Sequence, residues 1–308
     1  MHYTACLPKG ILQIGKKVNK QTYNFLNLNS NASVPNFQSD GLTITAAEPW
    51  FKVKVQLILS YAQAFIMNAS PKSEELIFID LFAGSGLFSI GHQKDIFPAS
   101  CLAALGCNLP FQKWILIESD PEQASALDKR VRKMYPQKYV EVCNVREDEI
   151  VQTINSTIPA SKAGHRVAVF CLIDPFSLSV SLNTIDRLAS MGFSFLVPFA
   201  FPLNARSDCR YYCHDQKEVI KKFVGPNNFE RLSSLDSNAH FYRKLVQLYQ
   251  NNLLVKGLNS ALSSHKLDSM LMTLPAYTIG FFSRQFSTQS VQRDVNVSEH
   301  LQFELFPH

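Results

Sequence analysis

The chain has 308 residues, of which 46% are hydrophobic and 18% are charged, and its net charge is +5. This balance excludes an intrinsically disordered chain, and the length suffices for one large α/β domain or for one domain with an insertion. The mild positive charge permits a nucleic-acid partner but does not require one.

Composition also bears on the location of the protein. The longest apolar stretch, residues 193–203, has 11 residues and two prolines, which is too short to span a bilayer, so we expect no membrane association. The N-terminus lacks a charged region followed by an apolar one, so we expect no secretory signal. Seven cysteines without regular spacing indicate reduced thiols rather than a disulfide framework. These features predict a cytoplasmic protein.

Residues 1–45 are polar and show little periodicity, so we interpret them as an N-terminal extension. The extension could contact phosphate through Lys16, Lys17 and Lys20, although a solvated run of charges is the simpler interpretation. Apolar residues then recur at helical spacing over residues 49–69, which predicts an amphipathic helix that packs on a sheet.

The stretch LIFIDLFAGSGLF, residues 76–88, carries the clearest pattern in the chain. Its apolar run is short and is followed by glycines, which predicts a parallel strand buried on both faces. The strand ends at Asp80, and Phe82, Gly84 and Gly86 follow in a D-x-F-x-G-x-G pattern. Glycines let the chain turn sharply and let a ligand approach bare backbone, and ligands of open α/β sheets bind outside the carboxyl ends of strands.

This pattern resembles the cofactor loop of S-adenosylmethionine (SAM) methyltransferases, with Asp80 facing the methionine ammonium and Phe82 against the cofactor. A nicotinamide-binding loop would need a third glycine where this chain has Ser89, and an acid about 20 residues further on. The next acid after a strand-like run is Glu118, 32 residues after Gly86. The alternative interpretation is a tight strand-to-helix turn that binds no ligand.

The following elements alternate between helices and strands. Residues 92–106 are predicted to form a loop and then the rest of a helix that ends near Gly106. The run KWILIESD predicts a second strand ending at Glu118, where Rossmann-like folds bind the ribose hydroxyls of their nucleotide. A helix begins at Pro121, and YVEVCNV predicts a third strand, after which Asn144 would contact the adenine.

The acidic run at residues 146–149 is interpreted as a solvated helix start. A fourth strand, RVAVFCLIDPF, ends in the carboxylate of Asp174, and FSFLVPFAFPL predicts a fifth strand after an intervening helix. This alternation predicts an α/β fold with a doubly wound, mostly parallel, Rossmann-like sheet. Residues 204–262 are predicted to be a helical insertion, followed by strands at 266–274 and 276–284 and by a tail with a helix and an edge segment.

The order and spacing of these motifs resemble the three-Cys-motif partner family (TcmP) from about residue 40 to the end. The resemblance rests on EPWFKVKVQLILSYAQAF, FIDLFAGSGLF, PASCLAAL, WILIESDPE, FCLIDPF and AYTIGFFS. It implies a SAM-methyltransferase-like domain over residues 46–308 and a partner protein that carries three cysteines of a radical-SAM-like type. Because those cysteines belong to the partner, the present chain is expected to hold no such cluster. Two departures are Ser85, where proline is common, and Ser177, where glycine is usual.

Asp174, Pro175 and Phe176 occupy the position of the Asp/Asn-Pro-Pro-aromatic motif of amino-methyltransferases that act on nucleic acids. In that motif the acidic or amide group and the first proline carbonyl accept hydrogen bonds from the target amine, and the aromatic ring stacks on the base. One proline is missing here, and two interpretations remain open. The motif either binds substrate or is a strand-end turn in which Asp174 caps the next helix. A base in a duplex would have to be flipped out to reach this site.

Other reactive side chains are weaker candidates. Cys171 lies inside the fourth strand, so we expect it in the core rather than as the nucleophile of a C5-cytosine methyltransferase. Cys209, Cys213 and His214 have ligand types that suit zinc, but a mobile substrate-side loop is the preferred interpretation, and no metal is expected. The same loop carries two arginines that could contact phosphate or face solvent, Arg206 and Arg210.

The preferred function is therefore SAM-dependent methyl transfer, with a nucleic acid amine as the favoured acceptor. Sulfonium is an activated donor, so positioning of the acceptor by Asp174 would supply most of the rate. The cofactor would be held by Asp80, Phe82, Gly84, Gly86, Glu118 and Asn144. The alternative is a catalytically degenerate methyltransferase-like protein that serves the three-cysteine partner.

Overall fold

The computed structural model describes residues 37–91, 94–158, 166–174 and 178–304, and the side chains of the last helix as far as Asn296. Most of the expected N-terminal extension, including Lys16, Lys17 and Lys20, lies outside the described residues. So do Pro175 and Phe176 of the candidate substrate motif and the end of the expected edge segment. The described residues belong to one compact unit.

The strands in chain order are β1 (Thr45–Ala47), β2 (Glu75–Asp80), β3 (Leu87–Ile90), β4 (Asp95–Pro98), β5 (Lys113–Ile117), β6 (Val140–Cys143), β7 (Val167–Leu172), β8 (Ser194–Pro198), β9 (Asn259–Lys266) and β10 (Ala276–Ser283). The helices are α1 (Trp50–Ala69), α2 (Ser100–Gly106), α3 (Pro121–Met134), α4 (Ile150–Thr157), α5 (Leu182–Ser190), α6 (Cys209–His214), α7 (Lys217–Val224), α8 (Pro226–Ser233), α9 (Asn238–Val255) and α10 (Thr288–Glu304).

The main sheet has the strand order β6-β5-β2-β7-β8-β10-β9. Neighbouring strands from β6 to β8 are parallel, whereas β10 is antiparallel to both β8 and β9. Numbered within the sheet, the order is 3-2-1-4-5-7-6, which follows the Rossmann order over its first five strands. The doubly wound, mostly parallel α/β sheet predicted from the sequence is therefore confirmed.

Helices cover both faces of this sheet, as the neighbours of two adjacent residues in β10 show. The ring of Phe281 lies 6.5 Å from that of Tyr61 in α1, whereas the ring of Phe282 lies 6.1 Å from that of Tyr249 in α9. Successive side chains of a strand point to opposite faces. Helices α1 and α9 therefore pack on opposite faces of the sheet.

The strand β2 occupies the centre of the sheet, between β5 and β7. The ring of Phe78 in β2 contacts Trp114 of β5 at 4.8 Å and Phe170 of β7 at 5.6 Å between centroids. All three side chains are fully buried. This aromatic packing fixes the position of the end of β2, where the candidate site begins.

The prediction of a loop after the glycines is wrong in part. The chain there forms the strands β3 and β4, which belong to a second, small sheet of order β1-β3-β4. Strand β1 pairs in parallel with β3, and β3 pairs with β4 in antiparallel fashion. Each strand is too short to show a period of its own, and the sheet depends on pairing with β1, about 40 residues away in the chain.

The strand expected at residues 266–274 is also misplaced, because the structure has β9 at Asn259–Lys266 and a connecting segment at the expected position. Helical structure after β8 accordingly ends with α9 at Val255, before the expected boundary at residue 262. Strand β9 is an edge strand with a partly exposed, polar sequence, NSALSSHK, so it lacks the apolar run that marks buried strands. The expected C-terminal helix is present as α10.

Among the helices in the described part of the chain, none is long and apolar enough to cross a bilayer.

Candidate functional site

Three adjacent parallel strands end in acidic residues at one edge of the main sheet. Asp80 is the last residue of β2, Glu118 follows β5, and Asp174 lies two residues beyond β7. Because the carboxyl ends of adjacent parallel strands meet at the same edge, the fold brings together the acids that the sequence predicts for the site.

The carboxyl group of Asp80 is withdrawn from solvent. Its side chain is 2% exposed, and Oδ1 accepts a hydrogen bond from the backbone N–H of Phe82 at 3.0 Å. Burial raises the pKa of Asp80 to about 7, against the lowering effect of this hydrogen bond. The charges of Asp174 and Glu118 raise this pKa further, and that of Lys54 lowers it. A cation bound beside Asp80 would favour its ionised form.

The glycine loop joins the end of β2 to the end of β5. Gly84 and Gly86 have φ angles of +60° and +83°, which side chains other than glycine rarely adopt. The N–H of Gly84 donates to Oε2 of Glu118 at 2.9 Å, and the N–H of Ala83 donates to the carbonyl of Ile117 at 2.9 Å. The acid after β5 is therefore in direct contact with the loop after β2.

The other candidate cofactor residues surround the same junction. Oε1 of Glu118 accepts from the N–H of Asp120 at 2.8 Å. Nδ2 of Asn144 donates to the carbonyl oxygens of Glu118 and Ser119 at 2.9 and 3.0 Å. Phe82 is half-buried in the loop and packs on the core. The amide of Asn144 thus stabilises the backbone conformation at Glu118.

The carboxylate of Asp174 forms an ion pair with Lys54, a residue that the sequence reasoning missed. Nζ of Lys54 lies 2.7 Å from Oδ2 of Asp174, and the two side chains are 7% and 13% exposed. The rings of Phe51 and Trp50 flank the ammonium, at 4.3 and 5.5 Å from their centroids. The candidate acceptor-binding residue is therefore paired with a buried cation.

Helical periodicity could have identified Lys54 as a buried residue. It lies on α1 four residues after Trp50, four before Ile58 and seven before Tyr61, and all of these side chains are buried. A lysine at a core position of an amphipathic helix requires a buried acidic partner. What the sequence does not reveal is that Asp174 is the partner.

The helix after Asp174 is capped by a different residue, so the helix-capping interpretation of Asp174 is wrong. The hydroxyl of Ser181 accepts from the N–H of Thr184 at the start of α5. Oε1 of Glu147 accepts from the N–H of Ser181 at 3.1 Å and from the hydroxyl of Thr184 at 2.7 Å. Glu147 therefore anchors α5 rather than only starting a solvated helix, while Asp148 and Glu149 are exposed.

Arg130 in α3 is the second residue that the sequence reasoning missed. It is 3% exposed and forms a two-pronged ion pair with Asp40, with Nε–Oδ2 and Nη2–Oδ1 distances of 2.8 Å. The Arg130 side chain holds the pKa of Asp40 below its ordinary value. Nothing in the pattern of the polar N-terminal region or of α3 connects residues 90 positions apart in the chain.

The remaining candidates from the sequence are cysteine and arginine side chains, and those that the structure describes do not form a second reactive site. Cys171 is fully buried within β7, as expected for a core residue. The loop expected at Cys209, Cys213 and His214 is wrong, because these residues form the helix α6, in which both cysteines are buried. Within the part of the chain that the structure describes, no group of three or more His, Cys, Asp and Glu residues could hold a metal ion. Arg206 and Arg210 are exposed, and their contact with phosphate stays a prediction.

No family model and no curated protein sequence matches this chain, so membership of the three-Cys-motif partner family stays a prediction.

Solved structures with a similar fold include protein LPL1258 from Legionella pneumophila, at 11% identity and a TM-score of 0.45, covering 79% of this chain and 90% of that one. Precorrin-6y C5,15-methyltransferase from Geobacter metallireducens has 11% identity and a TM-score of 0.42, covering 82% and 98%. Trm1 from Pyrococcus horikoshii, in complex with SAM, has 10% identity and a TM-score of 0.41, covering 78% and 58%. These values are too low to transfer an activity to this chain.

The buried carboxyl of Asp80 should make stability depend on pH. Its pKa is raised from 3.8 to about 7 in the folded chain. Below the ordinary pKa, Asp80 is protonated in both the folded and the unfolded chain, and the stabilisation that comes from its raised pKa has its full value. This stabilisation is lost as the pH rises from the ordinary pKa to the pKa of the folded chain. We therefore expect the unfolding free energy of the wild type, relative to that of Asp80→Asn, to fall by about 4 kcal/mol between about pH 4 and 8. Urea unfolding at several pH values measures this difference, and a constant difference would contradict the assignment.

A side chain at Gly86 should destabilise the fold. A Cβ there would lie 2.7 Å from methyl groups of Leu102 and Leu127, which are fully buried. We expect Gly86→Ala to lower the unfolding free energy by about 2–4 kcal/mol through this clash and the left-handed backbone. Gly41→Ala is the control, because its φ is +76° but nothing lies within 4 Å of the added Cβ. Equal losses in the two variants, measured by urea unfolding, would show that the clash has no effect.

Proposed function

We propose that this protein is a SAM-dependent methyltransferase that binds SAM at the carboxyl ends of β2 and β5. One observation carries the proposal: the buried carboxyl of Asp80, the backbone of Gly84–Gly86 and the carboxylate of Glu118 meet at this junction. A carboxyl in an apolar environment suits the methionine ammonium, because a charge-assisted bond is strong there. Glu118 suits the ribose hydroxyls, and bare glycine backbone permits close approach.

Asn144 fits the adenine end of the same molecule. Its Nδ2 is engaged by two backbone carbonyls after β5, which fixes the orientation of the amide. The amide oxygen, Oδ1, accepts no hydrogen bond from the described residues, so it is available to accept one from an exocyclic amine. The residues present therefore fit SAM from its ammonium to its base.

The acceptor side of the site is assigned to Asp174. SAM supplies an activated methyl group, so the chain has to orient the acceptor and exclude water rather than perform extensive acid–base chemistry. Lys54 forms its ion pair with Oδ2 of Asp174, whereas Oδ1 has no hydrogen-bond partner among the described residues. That oxygen can accept from a neutral amine. The roles of Pro175 and Phe176 in this motif stay predictions.

The favoured acceptor is an amine of a nucleic acid, and the distribution of charge supports it. Residues 204–258, which follow β8 at the site edge of the sheet, contain nine Lys and Arg against five Asp and Glu. This surplus of four accounts for most of the net charge of +5. Seven of these basic residues are exposed, and exposed basic side chains are the usual contacts of a phosphate backbone.

The Lys54–Asp174 ion pair also favours a second candidate function. A carboxylate already paired with an internal ammonium is less available to an acceptor amine, as expected of a chain that keeps SAM binding but has lost transfer. In this alternative the protein is a methyltransferase-like partner of a three-cysteine radical-SAM-like protein. The two functions differ in whether the bound methyl group is transferred.

SAM binding is expected to depend on the charge of Asp80. We expect Asp80→Ala to weaken SAM binding by about 1.5–3 kcal/mol, because a charge-assisted hydrogen bond is lost. Asp80→Asn is the matched variant, since it can still accept the hydrogen bond of Phe82 but carries no charge, and it should lose a similar amount. Calorimetry with SAM and with S-adenosylhomocysteine measures these affinities. Wild-type affinity in both variants would remove Asp80 from the site.

Transfer is expected to depend on the carboxylate of Asp174. We expect Asp174→Ala to abolish methyl transfer while SAM affinity changes little, because the substitution removes the acceptor contact and the ion pair with Lys54 but no contact proposed for SAM. Lys54→Met breaks the same ion pair but retains the carboxylate, so it should keep measurable transfer. The assay is transfer of a radiolabelled methyl group to total RNA, DNA and protein, with and without the three-cysteine partner. A wild-type chain that binds SAM but labels nothing in either setting would support the partner function.

A further inference from the structure

The guanidinium of Arg130 connects two segments that are distant in the sequence. Besides the two bonds to Asp40, Nη1 donates to the carbonyl of Thr43 at 2.9 Å and to the carbonyl of Ser85 at 2.6 Å. Asp40 and Thr43 precede α1, whereas Ser85 lies between the two glycines of the loop after β2. A single buried side chain thus contacts both the loop and the segment before α1.

The loop needs an external contact of this kind. Gly84 and Gly86 both have positive φ angles, and glycine has weak conformational preferences of its own. The N–H of Gly84 is fixed by Glu118 on one side, and the carbonyl of Ser85 is fixed by Arg130 on the other. The guanidinium therefore constrains the orientation of the peptide group that joins Ser85 to Gly86.

The segment held by Arg130 also contacts the first turn of α3, beside the loop. The hydroxyl of Thr43 donates to the carboxylate of Glu122, and that of Thr45 donates to Oε1 of Gln123 at 3.5 Å. The same Gln123 oxygen lies 3.6 Å from the position that a Cβ on Gly84 would occupy. Residues 40–45 therefore pack against α3 next to the glycine loop.

We propose that Arg130 is a positioning residue for SAM binding, which fixes the Ser85 carbonyl and fastens residues 40–45 beside the glycine loop. The proposal rests on the proposed function, and it extends the site to residues that contact neither the methyl group nor its acceptor. Arginine suits this role because its planar, permanently charged fork can bond a carboxylate with two nitrogens and still donate to carbonyl oxygens. A lysine could reach only part of this set of acceptors.

The test compares SAM affinity in folded variants by calorimetry. We expect Arg130→Lys to weaken SAM binding about tenfold or more, because a displaced loop no longer matches its ligand. Asp40→Asn, which leaves Arg130 in place, should weaken it by a smaller factor, and Asp40→Glu should restore part of the loss. The control is Asp128→Asn, which removes the partner of exposed Arg132 on the same helix and should leave the affinity unchanged.

A purely structural role of Arg130 would lower stability without changing affinity, so urea unfolding is measured for each variant, and binding is measured where the variant is fully folded. Wild-type SAM affinity in folded Arg130→Lys would overturn the proposal. If Arg130→Lys does not fold, wild-type affinity in Asp40→Asn would overturn it instead. Failure of the wild-type chain itself to bind SAM would overturn the proposed function, which is a distinct result.

Discussion

The burial of the Asp80 carboxyl at the end of the central strand is the constraint on which the site depends. Strand β2 is flanked on both sides by parallel strands and packed against aromatic side chains, so its last residue is buried away from the surface. An acid in that position must stay protonated, find hydrogen-bond donors or meet a cation. The N–H of Phe82 and the positive charge of Lys54 meet part of this requirement. A ligand ammonium would meet the rest.

The same burial explains why the acidic residues at this edge of the sheet have different partners. Glu118 is satisfied by backbone N–H groups and stays partly exposed, whereas Asp174 is nearly buried and is paired with Lys54. Three carboxylates at one sheet edge would repel one another, and Lys54 reduces this repulsion. A buried ion pair contributes little net stability compared with apolar packing.

The sequence predicts most of the sheet because buried parallel strands are continuous apolar runs. This applies to β2, β5, β7 and β8, and the acids that follow the first three could be read at the strand ends. The edge strand β9 and the short strands β3 and β4 have no continuous apolar run. They are strands because of the strands they pair with, which their own sequences do not reveal.

The supporting contacts of the candidate site were less predictable than its acids. Asp80, Gly84 and Glu118 follow a local pattern, but Lys54 pairs with Asp174 at a distance of 120 residues, and Arg130 pairs with Asp40 at 90 residues. Such pairs form only when the fold brings remote segments together. A single sequence shows at most that Lys54 is a charged residue on a buried helical face.

The polar composition of β9 has a consequence for self-association. An open edge of a sheet offers unpaired backbone groups to any other extended chain, and proteins discourage this with short, charged or polar edge strands. In β9, serine, asparagine and a terminal lysine replace the apolar residues that would favour stacking of a second sheet. The strand is thus a poor template for aggregation, even though no strand among the described residues pairs with its outer edge.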